Sequence, residues 1–149
     1  MNNIKEEFVR KRLLPHYIEC LKNYSNISFM ESDLTDLKTS KVLYDKCACL
    51  WTNGNLIERH LQSVAPEEIE RIVSSCFGPN EELLLHLNGA DYCGFLRIPN
   101  YSAINYAFNK KIDTNGILEI SDGLVTKLLS LDYYQDVDGH WVADVEICH

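Results

Sequence analysis

The chain has 149 residues, of which 46% are apolar and 24% charged, with a formal net charge of −8 and a pI near 5.0. That composition is ordinary for a globular chain, excludes disorder over most of its length, and fits about one domain spanning residues 1–149. Its acidity argues against general affinity for nucleic acid or for an anionic membrane surface, both of which would repel it.

Charges interrupt every apolar run of the first fifteen residues, so no signal-peptide core is expected there. No window approaches the roughly 20 apolar residues of a membrane span. A cytoplasmic location follows as an expectation, and with it six cysteines held as reduced thiols.

Residues 4–22 place Ile4, Phe8, Leu14, Tyr17, Ile18 and Leu21 near one helical stripe. Pro15 is expected to kink that helix or to split it in two. Arg10, Lys11 and Arg12 are expected on the solvated side, while Cys20 and Cys76, among apolar neighbours, read as small core residues. In the weakly patterned residues 27–46, Ser32-Asp33-Leu34-Thr35-Asp36-Leu37 has the chemistry to cap a turn or short helix. Residues 42–51 are apolar and read as a buried strand. Thr52-Asn53-Gly54-Asn55 reads as a turn, and residues 56–63 fit a helix or a strand equally.

Ala65-Pro66-Glu67-Glu68 opens a helix, with Pro and acids in the first turn where both are favoured. Ile69, Ile72, Val73 and Cys76 form its apolar face, and Gly78-Pro79 ends it. Beyond Glu81 the chain turns β-rich. Residues 83–87 and 92–98 fit a hairpin about Asn88-Gly89, with a single short helix capped by Asn80 and Gly89 as the alternative. Residues 102–109 are ambiguous, 116–120 a candidate strand, and 124–131 a candidate helix capped by Ser121 or Asp122. Residues 131–136 and 140–147 form a hairpin turning at Val137-Asp138-Gly139. Its second strand sets Trp141, Ala143, Val145 and Ile147 against His140, Val142, Asp144, Glu146 and Cys148. The fold class is α+β, with N-terminal helices packed on a mainly antiparallel sheet that ends in a hairpin.

No catalytic or metal motif stands out. Cys47-Ala48-Cys49 lacks the second ligand pair of a structural zinc site, and on a strand its thiols would point to opposite faces. Asp136-x-Asp138-Gly139 opens like a calcium loop, but position twelve is Ile147 rather than a glutamate. No nucleophile elbow, phosphate loop or cysteine-protease signature is present. His60 and His86 sit in apolar company and read as hydrogen-bonded core residues. Neither a metal nor a cofactor is expected.

What remains is the acidic end. From residue 113 onward, Asp113, Glu119, Asp122, Asp132, Asp136, Asp138, Asp144 and Glu146 face the single Lys127, a local balance of −7. Tyr133, Tyr134 and Trp141 lie in the same stretch. On a strand Tyr133 and Tyr134 point opposite ways, so one is expected buried and the other exposed. Aromatic anchors within a charged rim are what protein interfaces favour. The candidate partner-binding set is therefore Tyr133, Tyr134, Asp136, Asp138, His140, Asp144 and Glu146, with Trp141 supporting it from the buried face.

Leu50-Trp51-Thr52-Asn53-Gly54 and the acidic residues 133–146 resemble the immunity proteins of bacterial polymorphic-toxin and contact-dependent growth-inhibition systems. Phe77-Gly78-Pro79-Asn80-Glu81-Glu82-Leu83 through Asn88-Gly89 is similar to the Pro…Asn-Gly segment of the SUKH immunity superfamily, with Ala90 where a second glycine is usual. The resemblance implies a non-enzymatic binding protein that blocks the active site, or a neighbouring surface, of a cognate toxin. A nuclease toxin would offer a basic substrate site that an acidic face can imitate. The competing expectations are a small Cys- or His-dependent enzyme and a regulatory or scaffold domain.

Overall fold

The computed structural model describes residues 2–53, 57–107 and 117–149. The chain runs α1 (Asn2–Lys22), α2 (Leu37–Asn53), β1 (Ile57–Val64), α3 (Pro66–Cys76), β2 (Leu83–His86), α4 (Ala90–Cys93), β3 (Leu96–Ile98), β4 (Ile117–Asp122), β5 (Leu128–Gln135) and β6 (Trp141–Cys148). The six strands form one antiparallel sheet in the order β1-β6-β5-β4-β2-β3. The architecture is α+β, as the sequence pattern implies.

α1 passes through Pro15 as one element rather than two. Leu14, Tyr17, Cys20 and Leu21 are buried on both sides of the proline, and this packing outweighs the roughly 3 kcal/mol that an interior proline costs. The expected stripe is only half realised: Ile4 and Phe8 are exposed at 76% and 67%. Arg10 is half-buried rather than solvated, and donates to the carbonyls of Tyr92 (2.7 Å) and Thr35 (3.0 Å). Buried Tyr17 donates its hydroxyl to the Gly94 carbonyl (2.5 Å) and accepts from the Leu87 amide (3.2 Å), tying α1 to both ends of the α4 segment. Gly94 has φ of +106°, and a Cβ there would lie 2.8 Å from the Thr35 carbonyl oxygen, so glycine is required.

Residues 42–51 are helical, not the expected strand. Asp36 begins the helix by accepting from the Thr39 amide at 2.7 Å, the cap chemistry visible in Thr35-Asp36-Leu37. Leu43 and Cys47 are buried and Leu50 and Trp51 half-buried, while Val42, Asp45, Lys46, Ala48 and Cys49 are exposed. That is a period near 3.6, not 2. Cys47 and Cys49 still face opposite ways, two residues apart on a helix.

Residues 57–64 are a strand. In the expected turn at Thr52-Asn53-Gly54-Asn55, α2 extends to Asn53, and Gly54 and Asn55 lie outside the described residues, as do the side chain of His60 and the carboxylate of Asp113. α3 forms as expected, with Pro66 in its first turn and Ile69 and Val73 fully buried. β2 and β3 pair as a hairpin, but Tyr92 and Cys93 belong to the short α4 inside it; Gly89 leads into α4 at φ +98°. The helix expected over 124–131 is overturned. Asp122 accepts from the amides of Thr126 (2.7 Å) and Lys127 (3.0 Å), four and five residues on rather than the two or three of an N-cap, Val125 turns the chain at φ +54°, and β5 begins at Leu128.

Two sheet faces result. Leu85, Ile120, Leu129 and Ile147 lie in register and are buried, as are Leu118, Leu131 and Val145. Their face also holds Tyr133, whose ring lies 5.8 Å from that of Tyr24 and whose hydroxyl donates to the Tyr106 carbonyl (3.2 Å). The opposite face is buried in one row, Leu84–Ser121–Leu128–Cys148, and polar in the next two, His86–Glu119–Ser130–Glu146–His60 and Ile117–Asp132–Asp144. The C-terminal part of α2 reaches this face, since Trp51 donates to Glu119 (3.1 Å) and the Cys148 thiol to the Leu50 carbonyl (3.2 Å).

Candidate functional site

The hairpin forms where the sequence places it. Gly139 turns at φ +82°, the Asp136 amide donates to the His140 carbonyl (2.9 Å), and the Gly139 amide donates to the Asp136 carbonyl (3.0 Å). Asp136 Oδ1 accepts from the amides of Asp138 and His140, both at 2.9 Å. Asp136 thus shapes the turn, while Asp138 and His140 are exposed. Ligand atoms of Asp136, Asp138 and His140 lie within 4.8 Å of one another, but one carboxylate oxygen is already committed to the turn.

Tyr133 is the correction in the expected set. It is 5% exposed, with its phenol pushed well above its ordinary range by burial and then by Tyr24, so it is core and offers nothing to a partner. Tyr134 is half-buried on the polar face. Its hydroxyl donates to Asp144 Oδ1 (2.9 Å) and shares a 2.7 Å hydrogen bond with Ser63 Oγ. Asp144 Oδ1 also accepts from the Ser63 amide at 3.0 Å. Ser63 sits in the irregular stretch between Leu61 and Val64 of β1, at a φ of +54° that non-glycine residues rarely adopt. Glu146 lies half-buried in the row between Ser130 and His60. Trp141 is half-buried against the core, as its alternation implies.

The sequence reading of the site missed Asp132. It stands directly across from Asp144 on the same face, exposed, with its carboxyl raised above the ordinary aspartate range by partial burial and then by Asp144. Two carboxylates opposed across strands repel one another. The face therefore presents Asp132, Tyr134, Asp144 and Glu146 together, with Asp138 at the hairpin end.

At the other end of this face, α2 and the ends of β2 and β4 enclose a cavity of about 400 Å³. Tyr44, Trp51, His86, Ile117 and Glu119 are among its lining residues. Glu119 Oε1 accepts from the Trp51 indole at 3.1 Å, and Oε2 lies 2.5 Å from His86 Nε2. His86 is 3% exposed and stacks at 4.3 Å on Phe95; its Nδ1 has no hydrogen-bond partner among the described residues. The expectation of a core histidine holds for one ring nitrogen only.

The thiols near these groups are poor nucleophiles. Burial, and then Glu119, push Cys47 up to about 12, and burial pushes Cys93 up to about 11. Burial also raises Cys148. His16 Nε2 lies 3.5 Å from Cys20 Sγ on the next turn of α1, but that thiol is only 4% exposed.

No protein-family model, curated protein or solved structure matches this chain. No described helix is long and apolar enough to cross a membrane.

Proposed function

We propose that this protein is an acidic binding protein that neutralises a cognate toxin by covering its active site or an adjacent basic surface with the polar sheet face. The observation that carries the reading is the Asp132–Asp144 pair. A sheet selected only for stability has no use for like charges across adjacent strands, nor for Ser63 at positive φ beside Asp144. Both features become intelligible if the face is kept acidic and fixed in shape for a positively charged partner. A carboxylate-rich face raises association rates by electrostatic steering and supplies complementarity to a phosphate-binding surface.

An enzymatic reading finds less support, because the most buried thiols are held neutral and the His86–Glu119 pair is not joined by a nucleophile within hydrogen-bond reach among the described residues. The test is association with the product of the adjacent reading frame, which the proposal expects to be a toxin domain. Binding that inhibits the toxin and weakens steeply with salt is the expected result. A toxin whose activity is unaffected by stoichiometric protein overturns the reading.

A further inference from the structure

We propose that the cavity between α2 and the β2–β4 ends receives an arginine side chain of the basic partner, anchoring it at one end of the acidic face. This rests on the binding role above and names the contact that gives it specificity. Three observations converge. First, among the described residues Glu119 is the only carboxylate that lines the cavity, and no described lysine or arginine lines it. Second, Glu119 is held by a donor at each oxygen, Trp51 at 3.1 Å and His86 at 2.5 Å, and every carboxylate oxygen has a second lone pair. A pre-oriented carboxylate of that kind suits the fixed fork of a guanidinium, and the Tyr44 and Trp51 rings suit its flat faces better than they suit a compact, strongly hydrated ammonium.

Third, buried His86 has no hydrogen-bond partner at Nδ1 among the described residues, an arrangement that costs about 1–3 kcal/mol. It is accounted for if the task of the imidazole is to hold Glu119 from beneath. The cavity is also continuous with the acidic face: Ile117 at its edge pairs with Asp132, and Glu119 with Ser130 in the row that leads to Glu146. A partner steered onto the carboxylates therefore arrives beside the opening, with Ile117 and Ala48 available to the methylene stem.

The experiment uses the full chain carrying Trp141→Phe, which leaves Trp51 as the sole tryptophan. The Trp51 indole N–H resonance is followed while acetyl-Ala-Arg-Ala-amide is titrated in, and then the same peptide with citrulline, the neutral isostere of arginine. A saturable shift with arginine, at least tenfold weaker with citrulline and tenfold weaker in Glu119→Gln, is the expected result. Ile117→Tyr, a change at a residue 42% exposed that adds no second indole, narrows the opening and abolishes the shift. Citrulline binding as well as arginine, or Ile117→Tyr leaving the titration unchanged, overturns the inference. If the peptides do not bind while Asp132→Asn still slows toxin association, the arginine site falls and the acidic face stands. If arginine binds but Asp132→Asn leaves association untouched, the site stands and the face reading falls.

Discussion

Replacing Asp132 with asparagine should make the protein more stable at neutral pH. The side chain keeps its size and loses its charge, while Asp144 keeps its bonds from Tyr134 and Ser63. Cross-strand neighbours on one face stand about 5 Å apart, and at the dielectric of water two unit charges at that separation repel by roughly 0.8 kcal/mol. Asp132 is exposed, so the gain should be about 0.3–1 kcal/mol, or roughly 1–4 °C in Tm for a chain of this size. The pH dependence follows from its raised carboxyl. Folded Asp132 holds its proton to higher pH than it does in the unfolded chain. Its contribution is therefore complete below the ordinary aspartate value near 3.9 and is lost as pH rises through the raised folded value. Urea denaturation followed by circular dichroism should show the Asn variant ahead at pH 7, level with the original at pH 3, and level again at pH 7 in about 1 M salt. A variant less stable at pH 7, or a gain that persists at pH 3, would refute the idea that this face is held against charge repulsion.

Tyr17→Phe leaves the Leu87 amide and the Gly94 carbonyl without the hydroxyl, and should cost about 2–4 kcal/mol in the same denaturation experiment. A loss under 0.5 kcal/mol would mean that water or a local shift replaces the hydroxyl. Gly94→Ala should cost at least about 2 kcal/mol, since it meets both a positive φ and the Thr35 carbonyl. Mild alkylation near pH 8 should modify exposed Cys49 first and leave Cys47 and Cys93 intact until the chain unfolds. Fast modification of Cys47, read by peptide mass, would reopen the enzymatic alternative.

The parts of the fold legible in the sequence are those where a local rule acts alone. Pro66 with Glu67 and Glu68 starts α3, and Asp138-Gly139 turns the last hairpin. Residues 42–51 misled because Leu43, Cys47, Leu50 and Trp51 lie among other apolar residues that are exposed, so composition hides the helical period. Residues 124–131 misled for another reason: Asp122 has an N-cap residue type, but its carboxylate ties a turn to Thr126 and Lys127, and Val125 at positive φ leads the chain into a strand. That reading hides Ser130 and its row, whereas the strand over 131–136 already sets Asp132 beside Tyr134 on one face and Tyr133 on the other; which face goes inside is decided by packing against Tyr24. The His86–Glu119 pair was beyond reach, because it joins β2 to β4 across 33 positions that no local pattern relates. The carboxylates of residues 136, 138, 144 and 146 were legible from charge alone, but not that Asp136 and Asp144 also hold the turn and the β1 irregularity.

Those internal duties decide which charges to remove. Neutralising Asp136 or Asp144 would disturb the backbone as well as the field, whereas Asp132 and Asp138 are exposed and their removal leaves the fold in place. The central claim is therefore tested most directly by stopped-flow association of the proposed toxin partner with the original chain and with Asp132→Asn/Asp138→Asn, across a range of salt. The account predicts an association rate lowered about tenfold or more in the double variant at low salt, with the two proteins converging as salt rises. Equal rates at low salt would contradict it.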